Sequence, residues 1–325
     1  MTDVMQALVK MESSPGHLEL QEVPIPDIGA DEVLVEIAYC GICGSDLHIE
    51  AGTHPAKTPL VIGHEFSGVV AAVGGNVTEF APGDEVGFRR SWTPFPGVDA
   101  DGGFAEYMRA PARALWHIPE GITLKAATQF ETVRPPMTMV RDRAGLSGGE
   151  RVVVSGPGPI GLLVTNVAKM DGASSVTVIG TGADSDVRLP MAERMGADET
   201  LVFDDSALEE IDDDPPSVWF ETSGAAPAVE AAVDHVADRG TIVSSGLGDG
   251  PWNVDMRRVA YDSLQILGQW GGEDEYVEAA AEAMQSGELD VAATITDTVP
   301  LSQWREGFET ARSQSGIKVL LDPSR

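Results

Sequence analysis

Lysine is nearly missing from this 325-residue chain: five stand against 52 aspartates and glutamates, and with arginine the basic residues reach only 21, for a net charge of −31. A surface so poor in cations cannot clamp phosphates in number, which excludes nucleic acid as a partner. The acids are spread along the chain, apart from short runs such as 209–214, so this is no acidic tail on a neutral body. Such a surface repels itself at low salt, whereas near 1 M the Debye length falls to ~3 Å and the repulsion is screened. The composition predicts a halophilic protein, with a merely acidic mesophilic one as the alternative.

Cysteine is almost as scarce. Cys40 and Cys43 are the only two, and a bond between residues so close would close a trivial loop, so no disulfide framework exists. Long apolar runs are lacking too: hydrophobic residues make up 42% of the chain, with polar breaks well before a membrane-spanning length, which excludes a transmembrane helix and predicts no membrane partner. Residues 1–7 show neither the basic region nor the apolar core of a secretory signal, and a cytoplasmic location is the expectation.

What is present reads as an α/β protein of two domains, the natural expectation at this length. The first part is β-rich: residues 6–10, 18–23, 32–37, 66–73 and 84–88 carry β-branched residues between Pro- and Gly-bearing turns. From about residue 134 short apolar strands, at 151–155, 175–180, 217–221, 239–245 and 264–268, alternate with Ala-rich helical stretches, the pattern of a parallel sheet covered by helices. The tail from 291 returns to strand, helix, strand, with Trp304, Phe308 and Ala311 spaced for one helical face. The domains are expected at 1–133 with 291–325, and at 134–290.

Arg151-Val152-Val153-Val154-Ser155 runs straight into Gly156-Pro157-Gly158-Pro159-Ile160-Gly161 and an apolar helix. Between a strand and a helix each glycine has work: Gly156 makes the tight turn, Gly158 admits a pyrophosphate and Gly161 lets helix and strand approach, while the first turn at Ile160 faces the phosphates. The next strand ends in Gly180-Thr181-Gly182, without the carboxylate that would bind the adenosine ribose hydroxyls. A 2′-phosphate is then not repelled, and Thr181 or Arg188 would hold it. This leans toward NADP over NAD, although Asp184 and Asp186 stand close enough to take the ribose role.

Cys40-Gly41-Ile42-Cys43 fits a redox pair or half of a four-cysteine zinc site, yet no second pair and no thioredoxin pattern accompany it. Some twenty residues on, His64 and Glu65 interrupt an apolar strand. Burying an imidazole beside a carboxylate is costly unless something pairs with both, and a divalent cation would do so. A satisfied core histidine with a structural glutamate is the competing reading.

Cys40-Gly41-Ile42-Cys43-Gly44-Ser45-Asp46-Leu47-His48, Gly63-His64-Glu65, Gly83-Asp84-Glu85-Val86, Gly102-Gly103-Phe104-Ala105-Glu106-Tyr107, Gly156 to Leu162 and Gly316-Ile317-Lys318-Val319 together resemble, in order and spacing, the zinc-containing medium-chain dehydrogenases. The sorbitol, threonine and glucose dehydrogenase branch is the most similar. The resemblance implies a GroES-like catalytic domain plus a doubly wound Rossmann domain, one catalytic zinc, and NAD(P). It makes Cys43 and His64 zinc ligands, with Glu65 beside them as a ligand or exchangeable carboxylate, and Glu131 completing the site. The family's Glu-Pro-Leu reads Glu131-Thr132-Val133 here. No cysteine lies between Phe88 and Gly103, so a structural zinc is not expected.

An alcohol gives up its proton more easily beside such a metal, and hydride can pass from its carbon to the nicotinamide. The i, i+3 pair Ser45 and His48 would carry the proton outward; the plainer alternative makes Ser45 a helix cap and His48 an exposed residue. The expected substrate is a small alcohol, polyol, sugar or amino alcohol, with walls from residues 50–59, Trp92, Phe95 and the region of Trp270, and with Glu106 and Glu131 as polar contacts. A homodimer or homotetramer is expected. A zinc-free quinone or enoyl reductase on the same fold, and a nucleotide-binding protein without turnover, are the rivals.

Overall fold

A computed structural model describes residues 3–248 and 251–325 and divides the chain into two compact units. The first comprises residues 1–132, 277–285 and 295–325; the second comprises 133–276 and 286–294. Residues 277–285, read from the sequence as part of the nucleotide-binding domain, therefore group with the first unit. Glu278 pairs there with Arg89, and Gln285 donates to the carbonyl of Glu120.

The first unit opens with β1 (Val4–Lys10), β2 (Leu18–Pro24), β3 (Glu32–Gly41), β4 (Leu60–Val61), β5 (Glu65–Val73), β6 (Glu85–Phe88), β7 (Tyr107–Pro111) and β8 (Leu115–His117). In β3 the period of two is plain: Val33, Val35 and Ile37 are buried, while Glu36 between them faces solvent. Buried Lys10 closes β1, and its ammonium donates to the carbonyls of Ser14, Gly16 and Glu50. That ties the end of the short helix Gly44–Glu50 to the β1–β2 loop.

The second unit holds β9 (Arg151–Ser155), β10 (Ser175–Gly180), β11 (Glu199–Val202), β12 (Val218–Glu221), β13 (Thr241–Ser244) and β14 (Gln265–Gly268) in one parallel sheet, ordered β11-β10-β9-β12-β13-β14. Numbered within the sheet this is 3-2-1-4-5-6, the Rossmann order. Its central strands are covered on both faces and so read as continuous apolar runs, with Val218 to Glu221 wholly buried. Trp219 fills the core there and donates its indole N–H to Ser155 Oγ at 3.0 Å. The strand of this sheet absent from the sequence reading is β11: it lies at the sheet edge, half exposed, and its Glu199-Thr200-Leu201-Val202 offers too few apolar residues to stand out.

The chain then supplies β15 (Ile295–Pro300), the helix Trp304–Arg312 and β16 (Lys318–Asp322) to the first unit. Trp304 and Phe308 pack edge to face from that helix, at 5.6 Å between centroids. Strand β16 pairs with β3, and β3 pairs in turn with β5, all antiparallel.

Candidate metal centre and nucleotide site

Register builds the metal site. Gly41 of β3 lies opposite both Glu65 of β5 and Leu320 of β16. In antiparallel ladders, two residues beyond Gly41, one before Glu65 and two before Leu320 all fall at the same end of the sheet. Cys43, His64 and Lys318 therefore converge although they are far apart in sequence. Two glycines permit the approach: a Cβ on Gly41 would stand 2.3 Å from Glu65 Oε2, and one on Gly63, whose φ is +94°, would strike the Phe104 ring at 2.6 Å.

The ligand atoms of Cys43, His64 and Glu65 lie within 4.8 Å of one another, with His64 and Glu65 buried. Thiolate, imidazole and carboxylate form a donor set suited to zinc. His64 Nδ1 is buried without a hydrogen-bond partner, and so is Asp46 Oδ1, 3.9 Å away. A carboxylate facing the second nitrogen of a ligating histidine is the usual means of fixing its tautomer. Burial opposes charge on His64, yet the hydrogen bond to Cys43 and the charge of Asp46 hold its pKa well above the ordinary value. Asp46, wholly buried, is pushed up to about 6 by desolvation against the pull of His64. Its Oδ2 meanwhile accepts from the Cys43 N–H at 2.8 Å and closes a capping box with Cys43 as N-cap. Asp46 and Cys43, not Ser45, thus cap this helix.

Lys318 is the residue that sequence reasoning missed. Its buried ammonium donates to both oxygens of Glu65, at 2.7 and 2.6 Å. Burial would raise the Glu65 pKa, but Lys318 reverses that and keeps it below the usual range, while Glu65 in turn lifts Lys318 against its own desolvation. A lysine inside an apolar strand, in a chain with only five, was the available signal. Glu131 stands outside the close trio but is nine-tenths buried, and its charge reaches His64 and Lys318.

Ser45 Oγ is buried without a partner. His48, one turn on, is half-buried with Nδ1 3.0 Å from the Thr53 hydroxyl. Of the expected pocket walls, Trp92 is buried against Phe66 and Phe88, Phe95 lies 5.6 Å from the His64 ring, and Trp270 is 63% exposed. Glu106 accepts from the Gln6 N–H at 2.8 Å and so serves the backbone of β1.

In the second unit Gly156 has φ +95°, and a Cβ there would stand 2.8 Å from Ser223. A Cβ on Gly161 would come within 2.0 Å of the Gly156 carbonyl oxygen. Open space surrounds the same position on Gly158, the N-cap of the helix Pro159–Met170, whose first turn carries Ile160. The helix N-terminus and this gap together suit a pyrophosphate. At the end of β10, Asp184 Oδ2 accepts from the Thr181 N–H and hydroxyl, both at 2.8 Å. Arg188, expected to reach a 2′-phosphate, is instead buried, 3.8 Å from Asp184 Oδ1.

Residues 29–120 match the alcohol dehydrogenase GroES-like domain, and residues 159–286 match the zinc-binding dehydrogenase domain. The chain belongs to the medium-chain alcohol dehydrogenase superfamily. It is 30% identical to a sorbitol dehydrogenase of Halalkalibacterium halodurans and 32% identical to an L-threonine 3-dehydrogenase of Bacillus velezensis, covering 98% of this chain and 99% of the relative in each case. A zinc-binding dehydrogenase structure from Sinorhizobium meliloti, bound to NADP, superposes with a TM-score of 0.87 at 26% identity, covering 99% of this chain and all of that one. An Escherichia coli alcohol dehydrogenase complexed with NADH gives 0.88 at 27%, covering 98% of this chain and 99% of that one.

Proposed function

We propose that this chain is a zinc-dependent, NAD(P)-linked dehydrogenase of a polyhydroxylated or amino alcohol. The convergence of Cys43, His64 and Glu65 on one buried point carries the reading. Cys43 and His64 would hold the metal. Glu65, whose two oxygens also accept from Lys318, and buried Glu131 are the carboxylates that would complete the set, one exchanging with the other. Zinc supplies a Lewis acid that lowers the pKa of the substrate hydroxyl. Asp46 holds the His64 ring, and Ser45 Oγ takes the hydroxyl proton, with His48 as the next station toward solvent. Screening alcohols, polyols, aldoses and threonine against both nucleotides, with and without chelator, tests the proposal. Turnover that survives complete zinc removal would favour a zinc-free reductase.

Ser45→Ala is expected to lower kcat by about a hundredfold with zinc content unchanged. Parental turnover in that variant would remove Ser45 from the proton path.

NADP is the proposed preference: β10 ends in Gly180-Thr181-Gly182 without a carboxylate of its own, and the nearest buried one, Asp184, is held through Oδ2 by the Thr181 N–H and hydroxyl. Separate KM values for the two nucleotides decide this. A homodimer is proposed through β14, an edge strand whose Ile266 is 44% exposed, because an uncovered edge invites pairing with a second copy; light scattering measures the mass.

The surface charge supports a halophilic enzyme; no helix among the described residues is long and apolar enough to cross a membrane. Dialysis from ~1 M to ~0.01 M salt lengthens the Debye length from ~3 to ~30 Å, and activity should be lost with the fold. Full activity and unchanged circular dichroism at low salt would sink the halophilic reading.

A further inference from the structure

The segment after Glu131, where the sequence departs from its family, has a use of its own. The helix Arg134–Thr138 and the turn that continues it through Arg143 grip the loop following β14 at four points. Buried Arg134 donates through Nη1 to the Gly272 carbonyl at 3.0 Å and to Asp274 Oδ1 at 2.7 Å. Thr138 Oγ accepts from the Glu273 N–H at 2.9 Å and donates to the Arg134 carbonyl. Arg143 Nε donates to Gln269 Oε1 at 2.6 Å, and Gln269 Nε2 donates onward to the Gly271 carbonyl at 2.8 Å. Tyr276 closes the loop with its hydroxyl on Asp142 at 2.6 Å. The fit is flush: a Cβ on Gly272 would lie 2.3 Å from the backbone of Arg134.

A loop so thoroughly fixed nonetheless presents Trp270 with 63% of its surface exposed. In doubly wound sheets ligands bind beyond the carboxyl ends of the strands, one mononucleotide to each half. The glycine turn belongs to the half made by β9 to β11, so the loop after β14 belongs to the nicotinamide half. We propose that Arg134, Thr138 and Arg143 are positioning residues that hold Trp270 against the nicotinamide end of the bound dinucleotide. The inference rests on the dehydrogenase reading above. An aromatic face there contributes only if its loop is ordered before the ligand arrives, because ordering it on binding would subtract from affinity.

The test combines kinetics with acrylamide quenching of tryptophan emission, the Trp270 share being the difference between parent and Trp270→Phe. In the parent, NADPH should shield that share. Arg134→Met should raise the dinucleotide KM about tenfold with kcat changed less than about twofold, and abolish most of the shielding. Arg134→Lys, which still reaches one oxygen, should recover much of it. Thr138→Val, which removes the acceptor for Glu273 and the donor to the Arg134 carbonyl, should move both readouts the same way and carries the test if Arg134→Met does not fold. Parental KM and shielding in folded Arg134→Met or Thr138→Val would overturn the clamp while the dehydrogenase reading stands. A parent that binds neither nucleotide and turns over no alcohol would overturn both.

Discussion

Replacing Cys43 with serine is expected to strip zinc from the purified protein and to lower kcat/KM by about a thousandfold, about 4 kcal/mol of transition-state stabilisation. The thiolate is the one soft donor of the converging set, and a hydroxyl at that position is a far poorer ligand. The helix Gly44–Glu50 should survive, because its cap uses the Cys43 backbone N–H and Asp46, which serine retains. Loss of metal with an unchanged far-ultraviolet spectrum is therefore the expected pattern. The parent should carry one zinc per chain by elemental analysis. A Cys43→Ser enzyme that keeps its zinc and its rate would remove Cys43 from the site, and a parent ratio near two would refute the single-metal reading.

Lys318→Met should be the most destabilising single change in the first unit. The ammonium is 2% exposed and its partner Glu65 1%, so the variant leaves a carboxylate buried without its countercharge. Removing one partner of such a pair costs about 3–5 kcal/mol. Denaturant unfolding with metal chelated, followed by the emission of Trp92, Trp116 and Trp304, measures the loss. Adding Glu65→Gln to Lys318→Met should recover most of it, since a buried ion pair is replaced by neutral groups at little net cost. A Lys318→Met chain as stable as the parent would show that the pair does not hold this corner of the fold.

The legible and the illegible parts of the site differ in kind. Gly156, Gly158 and Gly161 could be read because their work is local: a strand, a turn and a helix follow one another, and each glycine is explained by the atom that a side chain would strike or the space it leaves open. His64 and Glu65 could be read because two polar residues in an apolar strand demand a partner. The identity of that partner was not readable, since Lys318 arrives on the last strand through the β16–β3 ladder. Arg188 could be proposed for a phosphate from its position, but its burial, 3.8 Å from Asp184 Oδ1, was not readable.

By itself, then, the sequence determined the two-domain α/β architecture, the dinucleotide turn and the need of His64 and Glu65 for a partner, because these depend on periodicity, turn chemistry and the cost of burying polar groups, all of which act over a few residues, whereas Cys43 was joined to them only by the family resemblance. The tertiary structure alone decided that Lys318 neutralises Glu65, that Asp46 faces His64, that Arg188 is buried near Asp184, and that Arg134 grips the loop bearing Trp270. Each of these turns on which strand ends share an edge and which helix meets which loop. Register and packing fix those meetings, and a one-residue slip in β3, β5 or β16 would turn the converging side chains to the wrong face.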